Sequence, residues 1–187
     1  MKYIIILAHQ RPGSFNHAIA ETACQTLREQ GHEVTLHDLY AEGFDPILHE
    51  EEIHATEAEL PKDVRQFIDE IRAADGLIFV HPNWWGGPPS ILRGWVERVF
   101  RKEFAYNFTP QGPVGHLTDK SIFVFSTSNT PREVELNIYK NPIEHFWKVI
   151  VFGVCGCKSF QRINFEPVIL SSPEDRVRWL EEVRNAF

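Results

Sequence analysis

The sequence predicts a three-layer α/β fold, a five-stranded parallel sheet with helices on both faces. Three observations point to it. Short continuous apolar runs alternate with amphipathic segments along the chain. The runs lack the in–out alternation of a half-solvated strand, so they read as strands buried on both faces. The first three elements follow the order strand, helix, strand, which is the mark of a parallel crossover.

YIIILAH (Tyr3–His9) is the first such run. After the turn QRPGS comes FNHAIAETACQTLREQG, with Ala18, Ala20, Ala23, Cys24 and Leu27 at helical spacing. Ser14 stands at its N-cap and Gly31 at its C-terminal end. EVTLHDLY (Glu33–Tyr40) sets Val34 and Leu36 against Thr35 and His37 as the second strand. Residues 41–61 are less regular and read as a long surface connection. Asp63–Ala74 is helical, with Val64, Phe67, Ile68 and Ile71 on one stripe. GLIFVHP (Gly76–Pro82) is the third strand, SIFVFST (Ser121–Thr127) the fourth, and SFQRINFEPV (Ser159–Val168) a fifth, less apolar one. An amphipathic segment follows Pro88 and Pro89, and Asn141–Val154 carries a helical apolar stripe. Ser172-Pro173 opens a final helix with Val177, Leu180 and Val183 as its buried side. No repeat, low-complexity tract or linker interrupts residues 1–187, so one domain is expected.

Composition narrows the function. Hydrophobic residues at 43% and charged residues at 24% suit a globular core. A net charge of −7 with no basic run argues against nucleic acid as the main partner. Three cysteines make no disulfide framework, and no apolar stretch has the length of a membrane span. A cytoplasmic protein with reduced thiols and no membrane insertion is expected.

In sheets of this class ligands bind beyond the carboxyl ends of the strands. Three loops lie there. The first, AHQRPGSFN (Ala8–Asn16), sets Gly13 and Ser14 before a helix whose first N–H groups are unpaired, which suits an anion; Asn16 and His9 add donors. It carries neither GxxxxGK[ST] nor GxGxxG. The plainer reading of Ser14 is a helix cap. The second loop, HPNWWGGPP (His81–Pro89), places Trp84 and Trp85 beside Gly86 and Gly87, which suits a flat ligand whose edge meets backbone. Two adjacent tryptophans cannot both face one pocket, and core packing is their ordinary use. The third loop, STSNTPR (Ser126–Arg132), is dense in short donors. An anion cradle, an apolar wall and a polar rim together describe a phosphorylated flat aromatic, with flavin mononucleotide as the simplest example.

AHQRPGSFN, the FDPIL of the long connection, HPNWWGGPPSILRGWVERVF and the TSNTP loop resemble the NAD(P)H:quinone reductase branch of the flavodoxin-like superfamily. The likeness runs from the first strand to the helix before the fifth. It implies sheet order 2-1-3-4-5, bound FMN or FAD, and homodimers with the active site at the subunit interface. By position, His9, Ser14, Phe15 and Asn16 would hold the flavin phosphate end. Pro82, Asn83, Trp84, Trp85 and Gly86 would pack on the isoalloxazine, and Thr127, Ser128, Asn129 and Thr130 would meet its polar rim. The implied chemistry is a ping-pong cycle in which NADH or NADPH gives hydride to the flavin and a quinone then takes both electrons. Amides of the WWGG loop would stabilise the reduced ring. The long quinone reductases carry glycines, then a Tyr and a His, after the fourth strand; SNTPREVELN has no counterpart to that pair. Tyr106 is a candidate for the substrate pocket, and no protein nucleophile is required. A flavin electron carrier or a regulatory flavoprotein subunit of an ion-efflux system is the alternative, and a flavin-free binding module a further one.

Other groups have plainer roles. Cys155 and Cys157 lack a second ligand pair at metal spacing and read as packed thiols. HEEEIH (His49–His54) reads as a solvated charge run, and His145 as a packed or interfacial histidine.

Overall fold

The computed structural model describes all of residues 1–187. Its central sheet is built from β1 (Lys2–Leu7), β2 (Glu33–Asp38), β3 (Gly76–Pro82), β6 (Ser121–Thr127) and β7 (Ser159–Phe165). Their spatial order is β2-β1-β3-β6-β7 and every pairing is parallel. This is the expected 2-1-3-4-5 arrangement, since β4 (Tyr106–Thr109) and β5 (Gly112–Gly115) form a separate antiparallel hairpin. That hairpin was not expected. Its strands have four residues each and are half exposed, so they carry no apolar run.

Helices α1 (Phe15–Glu29) and α7 (Pro173–Arg184) cover one face of the sheet. The other face carries α2 (Glu50–Ile53), α3 (Lys62–Ala73), α4 (Ser90–Val99), α5 (Pro142–Glu144) and α6 (Phe152–Cys155). Alternate strand residues explain the continuous apolar runs. Ile4, Ile6, Leu77, Phe79, Ile122 and Val124 enter the α3/α4 core, whereas Tyr3, Ile5, Leu7, Ile78, Val80 and Phe125 enter the α1/α7 core.

Three expectations need correction. The 41–61 connection is anchored rather than merely superficial. Phe44, Glu52 and Leu60 are buried, and Glu52 forms a two-pronged ion pair with Arg98 of α4 at 2.9 and 3.0 Å. Arg98 also donates to the Asp45 carbonyl at 2.7 Å and lies over the Phe44 ring. Gly94 makes the approach feasible, because a Cβ there would sit 2.0 Å from the Pro46 carbonyl oxygen. HEEEIH is therefore solvated except at Glu52. The Asn141–Val154 segment is not one regular helix: α5 and α6 are short and joined by a π-helical stretch, His145–Val151. On α7, Val183 is buried, but Val177 is 61% exposed.

Cys24, Cys155 and Cys157 are free thiols. Burial pushes both Cys155 and Cys157 up to about 12, so they remain protonated packing groups.

Candidate functional site

The carboxyl ends of β1, β3 and β6 open into one cavity of about 580 Å³. It is lined by His9, Ser14, Phe15, Asn16, Pro82, Asn83, Trp84, Thr127, Ser128, Asn129 and Thr130 from the three loops, together with Gln10, Arg11, Val168 and Arg176. Eleven of the thirteen positions read as cofactor-contacting meet here, and Trp85 and Gly86 do not. A larger groove of about 820 Å³ runs along α1 and β2, on the flank of the sheet rather than at its strand ends.

Side chains tie the three loops together. Asn16, 3% exposed, donates to Thr127 Oγ1 at 2.9 Å, which joins the start of α1 to the end of β6. The Asn83 amide donates to the Thr127 carbonyl at 2.7 Å, which draws the second loop to the same strand end. Ser128 Oγ accepts from the Thr130 amide at 3.0 Å, turning the third loop over the cavity. Two hydrogen bonds tie the third loop to the segment after β7: the Val168 amide donates to the Ser128 carbonyl and the Ile169 amide to Asn129 Oδ1, each at 2.9 Å.

One end of the cavity favours an anion. The amides of Phe15 and Asn16, first in α1, carry no hydrogen bond, as expected where a helix begins. Arg11 and Arg176 stand beside them, and no Asp or Glu lines the cavity in a chain of net charge −7. Ser14 occupies the N-cap position with extended backbone, yet its hydroxyl does not cap the helix. It lies 2.8 Å from His17 Nδ1 instead. His9 is held below the usual histidine range by burial and by the neighbouring His17 ring.

The tryptophan pair is resolved. Trp84 is 39% exposed, lines the cavity and stands 6.3 Å from the His9 ring. Trp85 is fully exposed at 105%. Neither belongs to the core. Trp84 and Gly87 exchange backbone hydrogen bonds at 3.0 and 3.1 Å, leaving Trp85 (φ +55°) and Gly86 (φ +74°) as the corner of a two-residue turn. The expected row of free amides is mostly spent on this turn. Gly86 N–H donates to Asn83 Oδ1 at 3.0 Å, and only the Trp85 amide of the WWGG stretch carries no bond. Gly86 instead accommodates Pro142, whose Cγ would lie 3.1 Å from an added Cβ.

Tyr106 lies on the β4–β5 hairpin, half-buried, and is not among the cavity residues. His145 is exposed beside a second hollow of about 500 Å³ that also touches Gly86, Arg93 and Tyr139, so it is not a packed histidine.

Sequence reasoning missed several groups. Arg11, in the first loop, and Arg176, in the first turn of α7, were not singled out, although both line the cavity. His81 was passed over inside its motif, yet it is fully buried and burial holds it down at about 4. Behind the third loop, Glu135 and Arg162 pair at 2.8 Å with both side chains buried, and Arg162 also donates to Ser126 Oγ and Asn141 Oδ1. Glu166 completes this cluster and is raised above the usual carboxylate range by burial and by the Glu135 charge. Such pairings across strands leave no mark in local sequence.

Fold and site together define a flavodoxin-type protein with its ligand cavity at the strand ends. The chain belongs to the flavodoxin-like family, whose model matches residues 1–186. It is 35% identical to an uncharacterised NAD(P)H oxidoreductase of Haemophilus influenzae, over 97% of this chain and 91% of that one. It is 32% identical to the rat NAD(P)H dehydrogenase [quinone] 1, over 95% of this chain and 73% of that one. Among solved structures it superposes on Smu.1420 from Streptococcus mutans with a TM-score of 0.88 and 32% identity, over 99% and 97% of the two chains. No helix is long and apolar enough to cross a membrane.

Proposed function

We propose that this chain is a flavin-dependent NAD(P)H:quinone oxidoreductase acting in the cytoplasm, with residues 1–187 working as one domain. The observation that carries this reading is the division of the 580 Å³ cavity into an anion end without carboxylates, a Trp84 wall and a hydroxyl-rich rim. The names of the two relatives above support it.

FMN fits these residues, with FAD as the alternative. The Phe15 and Asn16 amides, Ser14, His9, Arg11 and Arg176 hold the phosphate end. Pro82, Asn83 and Trp84 pack against the ring system, and Thr127, Ser128, Asn129 and Thr130 bond its polar rim. When bound, the flavin supplies two-electron hydride chemistry, alternating between NADH or NADPH as donor and a quinone or similar flat acceptor in ping-pong order. The chain's own part is orientation: the Asn16–Thr127 and Asn83–Thr127 bonds fix the relative placement of phosphate end, wall and rim. Trp85 and Gly86 serve a different surface. The reading includes a homodimer, in which the exposed Trp85 and Tyr106, which does not line its own cavity, would sit at the edge of the partner's pocket.

An absorbance spectrum of the purified protein and an anaerobic NADPH titration test this reading. A yellow protein that bleaches in one two-electron step and reoxidises with quinone supports it. A stable one-electron intermediate with little quinone turnover would instead make it a carrier, and a colourless protein that takes up no flavin sinks the reading altogether.

A further inference from the structure

Beside the anion end runs a chain of three side chains, Ser14, His17 and Asp38. Ser14 Oγ lies 2.8 Å from His17 Nδ1, and His17 Nε2 lies 3.1 Å from Asp38 Oδ2. All three are held. Ser14 is 4% exposed, the His17 and Asp38 side chains are 13% and 20% exposed, and Asp38 Oδ1 accepts the amides of Tyr40 and Ala41 at 3.1 and 3.2 Å.

The hydrogen bookkeeping of this chain has a consequence. An ionised carboxylate only accepts, so His17 Nε2 carries a hydrogen in either charge state of the ring. In the neutral ring Nδ1 is then bare, and it takes the hydrogen of the Ser14 hydroxyl. The serine turns only lone pairs toward the cavity, where they face the lone pairs of an incoming phosphate. In the protonated ring Nδ1–H donates to Ser14 Oγ, and the serine hydrogen is released to donate to the anion. Histidine is the side chain that makes such a change near neutral pH.

We propose that binding of the flavin phosphate at Ser14 takes up one proton from solvent onto His17, which makes flavin affinity fall as pH rises. The proposal rests on the flavin reading above. Other charged groups around His17 do not substitute for it. His9 and Arg11 come from the β1–α1 loop, and burial holds His9 below the usual histidine range; Arg176 reaches the cavity from α7 with a fixed charge. Asp38 and Tyr40 come from the end of β2, and Glu21, one turn further along α1, is exposed in the flank groove.

The test is calorimetry of the flavin-stripped protein at pH 8, where the FMN phosphate is doubly ionised, in buffers of different ionisation enthalpy. FMN is compared with riboflavin, which lacks the phosphate. Wild-type protein is expected to take up close to one proton with FMN and none with riboflavin. Its FMN affinity should weaken about tenfold per pH unit above neutrality while riboflavin affinity stays flat. His17→Gln should lose the uptake and the pH slope and keep riboflavin binding. FMN binding in wild-type protein without proton uptake overturns the inference and leaves the flavin reading intact, a comparison that needs no variant. Uptake that persists in His17→Gln also overturns it. Binding of neither flavin overturns both.

Discussion

The indole N–H of Trp147 donates to Nε2 of His81 at 2.9 Å, with both side chains fully buried. His81 Nδ1 lies 2.9 Å from the Pro82 carbonyl, so it carries the hydrogen and donates there. The ring is thus a neutral strut between the core and Pro82, the end of β3 that lines the cavity. With His81 down at about 4 in the folded state and near 6.5 when unfolded, the unfolded chain binds the extra proton between those values. The His81 contribution to stability is therefore constant above pH 6.5 and declines as pH falls toward 4, by about 3 kcal/mol across that window. Urea denaturation at pH 7.5 and pH 5 should show the loss. In His81→Leu the pH slope should flatten, and stability at pH 7.5 should drop by about 1–3 kcal/mol because Trp147 loses its acceptor.

Glu52 and Arg98 bind the long connection to α4, and each leaves a buried charge if the other is removed. Glu52→Ala should cost roughly 3–5 kcal/mol. The double variant Glu52→Leu with Arg98→Met should recover much of that loss, as read by denaturation midpoints. Equal loss in both variants would show that packing, not charge pairing, holds the connection.

The Asn16–Thr127 bond is a direct link between the first and third strand-end loops. Asn16→Ala should lower stability by about 1–2 kcal/mol. It should also weaken flavin uptake about tenfold, since a misplaced loop costs on the order of 1.4 kcal/mol in binding. Fluorescence titration of the stripped protein measures this.

Trp85 and Gly86 make opposite predictions at adjacent positions of one turn. Gly86→Val puts a branched side chain at φ +74° and against Pro142, so it should cost roughly 1–2 kcal/mol and swing Trp84 away from the cavity, loosening the flavin. Retained yellow colour with unchanged affinity would refute that placement. Trp85→Gly removes an exposed ring from φ +55° and should leave the isolated chain as stable or up to about 1 kcal/mol more stable. If the homodimer reading is right, sedimentation should show Trp85→Gly to be the variant that dissociates.

Much of the architecture was legible in local pattern. Runs such as YIIILAH and GLIFVHP are apolar at every position because both faces of the sheet are covered, and that burial is a property of the strand itself. The three strand-end loops were legible for the same reason, since strand direction alone puts them on one edge. The β4–β5 hairpin was not, because four-residue half-exposed strands leave no periodic signal. Nor was Val177, whose spacing on α7 matched that of Val183 but which has no partner element above it.

The sheet order was implied by the family resemblance alone; the chain's own pattern determined the parallel α/β class, the two covered faces and the chemical character of the three loops. These follow from hydrophobic period, crossover handedness and donor content, all of which are short-range. Only the tertiary structure decided that Trp84 rather than Trp85 lines the cavity, that Glu52 is buried against Arg98, and that Ser14 meets His17 and Asp38. Each of these depends on which side chains from distant segments come within hydrogen-bond or packing distance. That choice is made by the packing of helices and loops on the sheet, and no local pattern records it.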